Sequence, residues 1–185
     1  MAFRLGFDIG DGIELALLDH RHADALFALT DRNRAQLREW LPWLDGTRTV
    51  EDSRAFIKRS LQQFADNNGF QLGIWVEGEL AGTIGYHFWD WPDQKTEIGY
   101  WLGAEFQGRG IVTRACRVLV DFAFDELELN RVEIQCATDN VKSRAIPERL
   151  GFTLEGVFRQ ESRLYGRFVD HAMYSMLRHE WRSQG

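Results

Sequence analysis

Thr96-Glu97-Ile98-Gly99-Tyr100-Trp101-Leu102, then the loop Gln107-Gly108-Arg109-Gly110-Ile111-Val112, then Val112, Ala115, Cys116, Leu119, Ala123 and Leu127 at helical spacing make one unit over residues 96–127. The order is a short strand, a glycine loop and a long amphipathic helix. Glycines let the backbone approach a ligand closely, and the first turn of a helix leaves N–H groups without internal partners. An anion placed there meets donors and a favourable dipole. The chain carries a net charge of −6, yet from Gln107 to Leu119 the only charges are Arg109, Arg114 and Arg117. That local field suits a polyanion.

Spacing separates this loop from other phosphate loops. A P-loop needs a Lys-Ser/Thr pair after its last glycine, where this chain has Ile111-Val112, and the dinucleotide fingerprint needs a small residue where Thr113 stands. What remains is Q-x-x-G-x-small, with Val112 in the last place. It resembles the pyrophosphate loop of the GNAT family of acetyl-coenzyme A N-acetyltransferases. A second segment follows the next strand, Arg131 to Ala137: Asn140-Val141-Lys142-Ser143, a short helix, then Gly151-Phe152. This resembles the family's N-x-x-S/A…G-F segment, whose Asn and Ser contact the cofactor arm.

The resemblance extends over nearly the whole chain, roughly residues 12 to 182. Leu37-Arg38-Glu39-Trp40-Leu41-Pro42-Trp43-Leu44 is similar to a segment of the RimJ/RimL branch, whose members acetylate N-termini of ribosomal proteins. Tyr165-Gly166-Arg167-Phe168-Val169-Asp170-His171 and Tyr174-Ser175-Met176-Leu177 resemble that branch's last hairpin. Each piece also has an ordinary reading, with tryptophans and alternating apolar residues as core and glycines as turns.

Composition fits one domain spanning residues 1–185, long enough to bury a substantial core. No linker, low-complexity run or internal repeat interrupts it. Met1-Ala2-Phe3-Arg4-Leu5-Gly6 lacks the apolar stretch of a signal peptide and no run approaches membrane-spanning length, so a cytoplasmic location and no membrane partner are expected. The acidic balance argues against nucleic acid and is compatible with a cationic substrate. Cys116 and Cys136 read as small buried hydrophobes rather than a disulfide or nucleophile. The histidines His20, His22, His87, His171 and His179 show no zinc spacing, and no metal is expected. Trp40, Trp43, Trp89 and Trp91 fall in loops or element ends, where they either wall a groove or close the core.

The expected architecture is a mixed α/β sheet of about seven strands with helices on both faces, a GNAT fold by resemblance, splayed between its fourth and fifth strands. Strands are expected at Ile13 to Leu18, Phe70 to Val76, Leu80 to Trp89, Thr96 to Leu102, Arg131 to Ala137, Thr153 to Leu164 and Phe168 to Leu177. Helices are expected from His22 to Leu29, from Arg34 to Trp40, and from Glu51-Asp52-Ser53 to near Asn67-Asn68-Gly69.

The resemblance implies direct transfer in a ternary complex: a substrate amine attacks the thioester, a backbone N–H of the strand ending Trp101-Leu102 holds the oxyanion, and coenzyme A leaves as a thiol. Cofactor contacts are then expected from Trp101, Leu102, Gln107, Gly108, Arg109, Gly110, Ile111, Val112, Thr113, Asn140 and Ser143, with acetyl-coenzyme A as co-substrate. The attacking amine must be neutral. At pH 7 this costs about 1.4 kcal/mol for an α-amine of pKa near 8 but about 4.6 kcal/mol for a lysine of pKa near 10.4. A single carboxylate acting through water suffices for an N-terminus, and Glu97 is the first choice for that base. Glu161 is the alternative; in a strand, a change of one position reverses the face a side chain uses, so its direction is open. Trp40, Trp43 and Glu161 are the candidate acceptor-side residues. Many GNAT members place a tyrosine acid in the helix after the Asn motif, but here that position is Pro147, so Ser143 becomes the expected donor to the thiolate; its ordinary reading is a helix cap.

The expected function is acetylation of a protein N-terminus, ribosomal by resemblance, in a chain that by family-level expectation forms a homodimer. The alternatives are acetylation of a small amine such as a polyamine, antibiotic or amino acid, and a domain that holds acyl-coenzyme A without turnover.

Overall fold

The structure, a computed structural model, describes residues 5–183, so the reading of Met1 to Arg4 lies outside the described residues. In chain order the elements are β1 (Gly6–Asp8), β2 (Ile13–Leu17), α1 (Ala23–Arg32), α2 (Arg34–Arg38), α3 (Val50–Ala65), β3 (Gln71–Val76), β4 (Glu79–Asp90) and β5 (Lys95–Leu102). There follow α4 (Ile111–Asp125), β6 (Arg131–Ala137), α5 (Val141–Arg149), β7 (Thr153–Leu164), β8 (Arg167–Leu177) and α6 (Arg178–Arg182). The strands form one mixed sheet in the order β1-β2-β3-β4-β5-β6-β8-β7. Every strand expected from the sequence is present. The short edge strand β1 and the terminal turn α6 are additions, so the sheet has eight strands rather than seven.

Local chemistry explains the boundaries. Helix α3 begins one residue after Thr49, whose hydroxyl accepts from the Asp52 amide while the Asp52 carboxylate accepts from the Thr49 amide at 2.8 Å, a reciprocal cap. The β3–β4 connection turns on Glu77 (φ 51°) and Gly78 (φ 83°), the left-handed pair that a two-residue hairpin requires. Helix α4 stops at Asp125, and Leu127 packs on the core from beyond it.

The splay is explicit in the register. Strands β5 and β6 pair in parallel only from Lys95↔Arg131 to Glu97↔Glu133, while β6 stays paired with β8 all the way to Ala137↔His171. From Ile98 onward β5 therefore leaves β6. On one face, the α4 stripe of Ile111, Ala115, Cys116, Leu119, Val120, Ala123 and Phe124 is buried, each large side chain contributing roughly 1.5–3 kcal/mol. The buried Tyr86 phenol donates to the Leu119 carbonyl there. The segment after α2 lies on the opposite face, where Trp43 meets Trp101 with ring centroids 6.2 Å apart. Trp89 belongs to the core against Phe70, and Trp91 packs on Trp89 while its indole donates to the Asn67 carbonyl, so these two close the sheet end.

Candidate active site

The loop between β5 and α4 is built to receive an anion. Gly108 and Gly110 sit at φ 77° and 71°, conformations that β-carbon sterics penalise, and a β-carbon added at either would meet nothing within 4 Å. Buried Ile111 anchors the start of α4, whose capping residue Gly110 offers no side-chain cap. Among the described residues, the amides from Gly108 to Thr113 make no hydrogen bond within the protein; the ladder begins with Arg114 N–H donating to the Gly110 carbonyl. Unpartnered donors around open space fit a diphosphate.

Charge is arranged differently from the sequence expectation. Of the three arginines near the loop, Arg114 pairs with Asp11 at 2.6 Å and Arg117 lies over the Trp181 ring, which leaves Arg109. Two other cations arrive from α5. Lys142 Nζ donates to Gln107 Oε1 at 3.0 Å and Arg149 Nη1 donates to Thr113 Oγ1 at 3.2 Å. Sequence spacing around the loop had no way to register them, because they stand on another element.

Where β5 and β6 part, Tyr100, Cys136, Asn140 and Ser143 meet. Asn140 Oδ1 accepts from the Ser143 amide at 3.1 Å, so Asn140 caps α5 and the ordinary reading of Ser143 as cap is corrected. Ser143 Oγ donates to the Tyr100 phenol at 3.4 Å, and that phenol donates to the Ser143 carbonyl at 3.0 Å. Tyr100 was missed as a polar partner; alternation along β5 carries its side chain toward α4 and α5. Burial pushes its phenol well above 10 and raises the Cys136 thiol, so both are protonated at neutral pH. Pro147 is buried in α5, with no hydroxyl to offer.

The opposite face of β5 presents Glu97, Gly99 and Trp101. Glu97 Oε1 lies 2.7 Å from His87 Nδ1, a partner the sequence reading did not identify. The Gly103 amide donates to the Ala81 carbonyl of the β4 side, and successive strand amides point to opposite edges. The Leu102 amide therefore faces the splay, and Trp101 gives its indole to this face while its own amide faces β4. Next along the sheet, His171 sits between Gln135 Nε2 at 3.1 Å and Ser162 Oγ at 2.9 Å, with burial holding its imidazole below the usual value and neutral at pH 7. Glu161 lines a depression with Val157, Phe158 and Asp170, on a bulge where Gln160 has φ 54° and donates its amide to Asp170, and its carboxylate acts on His171 as the Glu97 carboxylate does, each favouring the charged imidazole against burial. Ser162 rather than Glu161 meets the inward-facing His171.

The segment carrying half-buried Trp40 and exposed Trp43 is anchored at several points. Arg34 donates to the Leu44 and Thr47 carbonyls at 2.8 and 2.7 Å, Arg38 makes a two-pronged pair with Asp45, and the Tyr165 phenol donates to the Leu41 carbonyl at 2.8 Å. The Arg38 guanidinium lies 3.8 Å from the Tyr165 ring centre. Among the described residues, no group of three or more His, Cys, Asp or Glu is gathered to hold a metal ion.

The model of the acetyltransferase (GNAT) domain matches residues 13–153. The chain is 40% identical over 177 residues to the "Putative ribosomal N-acetyltransferase YdaF" of Bacillus subtilis (strain 168), a match spanning 95% of this chain and 97% of that protein. Among solved structures it resembles the ribosomal L7/L12 alpha-N-protein acetyltransferase RimL in complex with coenzyme A, with TM-score 0.91 and 27% identity over 95% of this chain and 99% of that one. It also resembles the microcin C7 self-immunity acetyltransferase MccE in complex with acetyl-CoA and AMP, with TM-score 0.88 and 33% identity over 91% and 94% of the two chains.

Proposed function

The chain belongs to the GNAT acetyltransferase family, and we propose that it transfers the acetyl group of acetyl-coenzyme A to the N-terminal α-amine of a protein. It is an N-acetyltransferase of the ribosomal-protein acetyltransferase type. The observation that carries the cofactor part is the row of unpartnered amides from Gly108 to Thr113 beside left-handed glycines. The acceptor part is supported by likeness that continues beyond that unit through both walls of the acceptor face, as the coverage of the RimL structure requires.

When bound, acetyl-coenzyme A supplies an activated acyl group and a thiolate leaving group. The chain then has to orient, deprotonate and neutralise. The Leu102 amide faces the splay and is positioned to hold negative charge on the acyl oxygen. Asn140 Oδ1 is held by the Ser143 amide, leaving Nδ2 as a donor for the amide groups of the arm. Glu97, held by His87 through one oxygen, accepts a proton from the ammonium through its other oxygen or a water. Ser143, whose hydroxyl otherwise donates to the Tyr100 phenol at 3.4 Å, swings that proton toward the departing sulfur. Trp43 and Trp101 wall the place where the chain end enters. An α-amine needs only about 1.4 kcal/mol to lose its proton at pH 7, which one carboxylate can offset.

A second reading, a small-molecule amine as acceptor, is supported by the likeness to MccE, whose structure is a complex with acetyl-CoA and AMP. Thiol release measured against a panel of peptides with free N-termini and a panel of polyamines and amino acids separates the two. Release with peptides, abolished by blocking their α-amines, is expected; release with small amines alone overturns the N-terminal reading.

A further inference from the structure

Lys142 and Arg149 are both carried by α5, and both reach across to the loop that precedes and opens α4. They touch its opposite ends. Lys142 bonds the side chain of Gln107, whose Nε2 in turn lies 3.4 Å from the Leu102 carbonyl at the mouth of the splay. Arg149 bonds the hydroxyl of Thr113 in the first turn of α4. Among the described residues neither cation has a carboxylate within ion-pair distance, whereas Arg144, on the same helix, is engaged by Glu148 and Tyr174. Two cations with only neutral acceptors, flanking unpartnered amides in an acidic protein, await more negative charge than one diphosphate places at the centre of the loop.

Coenzyme A is a linear polyanion: the pantetheine arm, the diphosphate, then a ribose bearing a separate 3′-phosphate. With the arm in the splay beside Gln107 and the diphosphate on the amides from Gly108 to Thr113, the ribose end leaves past Thr113. We propose that Arg149 recognises the ribose 3′-phosphate while Lys142 leaves Gln107 to bind the arm-side phosphate of the diphosphate. This division of labour rests on the acetyl-coenzyme A reading above and adds a discrimination to it. The enzyme selects coenzyme A over its form lacking the 3′-phosphate, and one guanidinium makes the choice. Arg149 suits that task because its planar fork can bond a phosphate with two parallel N–H donors, while the ammonium of Lys142 acts as a point charge.

The test is calorimetric titration of the wild type, Arg149→Gln and Lys142→Met with coenzyme A and with dephospho-coenzyme A. Wild type is expected to bind coenzyme A roughly ten- to hundredfold more tightly than the dephospho form, the range of one charged hydrogen-bonded contact. Arg149→Gln is expected to erase that preference by weakening coenzyme A alone. Lys142→Met is expected to weaken both ligands by a similar factor and keep the preference. Equal weakening of both ligands by Arg149→Gln, or wild-type affinity in either variant, overturns the assignment. A wild type that binds neither ligand overturns the acetyl-coenzyme A reading itself, and unchanged melting temperatures distinguish either result from misfolding.

Discussion

Glu97 and His87 face each other across the β4–β5 pair with Oε1 2.7 Å from Nδ1, and the absent side chain of Gly99 makes room for the imidazole. A β-carbon at position 99 would run into that ring. His87 reaches this place because β4 is irregular between Tyr86 and Trp89, which shifts the register against β5. The carboxylate is 17% exposed, so it is held in one direction yet open to an incoming amine.

Glu97→Gln keeps the shape and the contact with His87 but removes the base. The rate constant kcat/KM for a peptide acceptor is expected to fall about a hundredfold at pH 6.5. The deficit shrinks toward pH 9, where an α-amine of pKa near 8 is already neutral. A pH–rate profile parallel to that of the wild type removes Glu97 from the role.

Ser143→Ala deletes the hydroxyl nearest the expected position of the sulfur and leaves the Asn140 cap, which uses only the backbone amide of residue 143. A thiolate is already a tolerable leaving group near neutral pH. A fall in kcat of about tenfold, with little change in the KM for acetyl-coenzyme A, is expected from steady-state thiol release. Unchanged kcat would show that no donor is needed at this position.

Gly110→Trp adds a side chain where the surroundings are empty, so no core atom has to move. The residue must hold φ near 71°, at a cost of roughly 1–2 kcal/mol. The melting temperature should therefore drop by only a few degrees, while the indole covers the amides of the loop and abolishes acetyl-coenzyme A binding in calorimetry. Near-normal affinity in a folded variant would disprove the loop assignment.

The strand, loop and helix unit was legible because its signals are local: glycines and an apolar stripe at helical spacing act within a few residues, whereas the capping of α5 by Asn140 rather than Ser143 was not read. The antiparallel strands were legible for the same reason, from alternation bounded by turn residues. The edge strand β1 was not. Gly6–Asp8 has too few residues for alternation to register, and it exists through pairing with β2. His87, Tyr100, Lys142 and Arg149 were missed because their roles arise from contacts between elements, set by the bulge in β4, the face alternation of β5 and the packing of α5 beside α4. Glu161 illustrates the limit most sharply. It lies in a bulge where Arg159, Gln160 and Glu161 stand opposite Asp170 alone, which breaks the alternation of β7, and spacing alone does not reveal a bulge.

Glu155 makes stability pH-dependent through a contact outside the proposed chemistry. On β7 it accepts two hydrogen bonds from Arg131 of β6 and one from Ser175 of β8, so the pair ties three strands together beyond the splay. The Arg131 guanidinium holds its carboxyl at about 2, below the usual carboxylate range. A carboxylate with a lowered folded-state pKa stabilises the fold above its unfolded pKa and loses that contribution as pH falls toward 2. Because the side chain is 41% exposed, solvent screening reduces the effect to about 1 kcal/mol. Glu155→Gln should melt roughly 2–4 °C below wild type at pH 7, and the gap should close between pH 4.5 and pH 2. A constant gap across that range would show that ionisation is irrelevant to the contact.

Tyr165 connects the two walls of the acceptor face, because it stands at the β7–β8 turn and donates its phenol to the Leu41 carbonyl beside Trp40 and Trp43. Its ring also lies against the Arg38 guanidinium, which holds Asp45 in the same segment. Tyr165→Phe removes only the hydrogen bond, worth about 1 kcal/mol, and keeps the stacked ring. The Trp segment is then freer to move, and an acceptor must order it on binding. The KM for a peptide acceptor should rise about fivefold while the dissociation constant of acetyl-coenzyme A, bound on the far side of the sheet, stays as in the wild type. Arg38→Met in the same background should add to the loss, since it removes the remaining tie. Equal changes toward both substrates would mean that Tyr165 supports the fold in general; no change toward either would mean that the walls keep their separation without it.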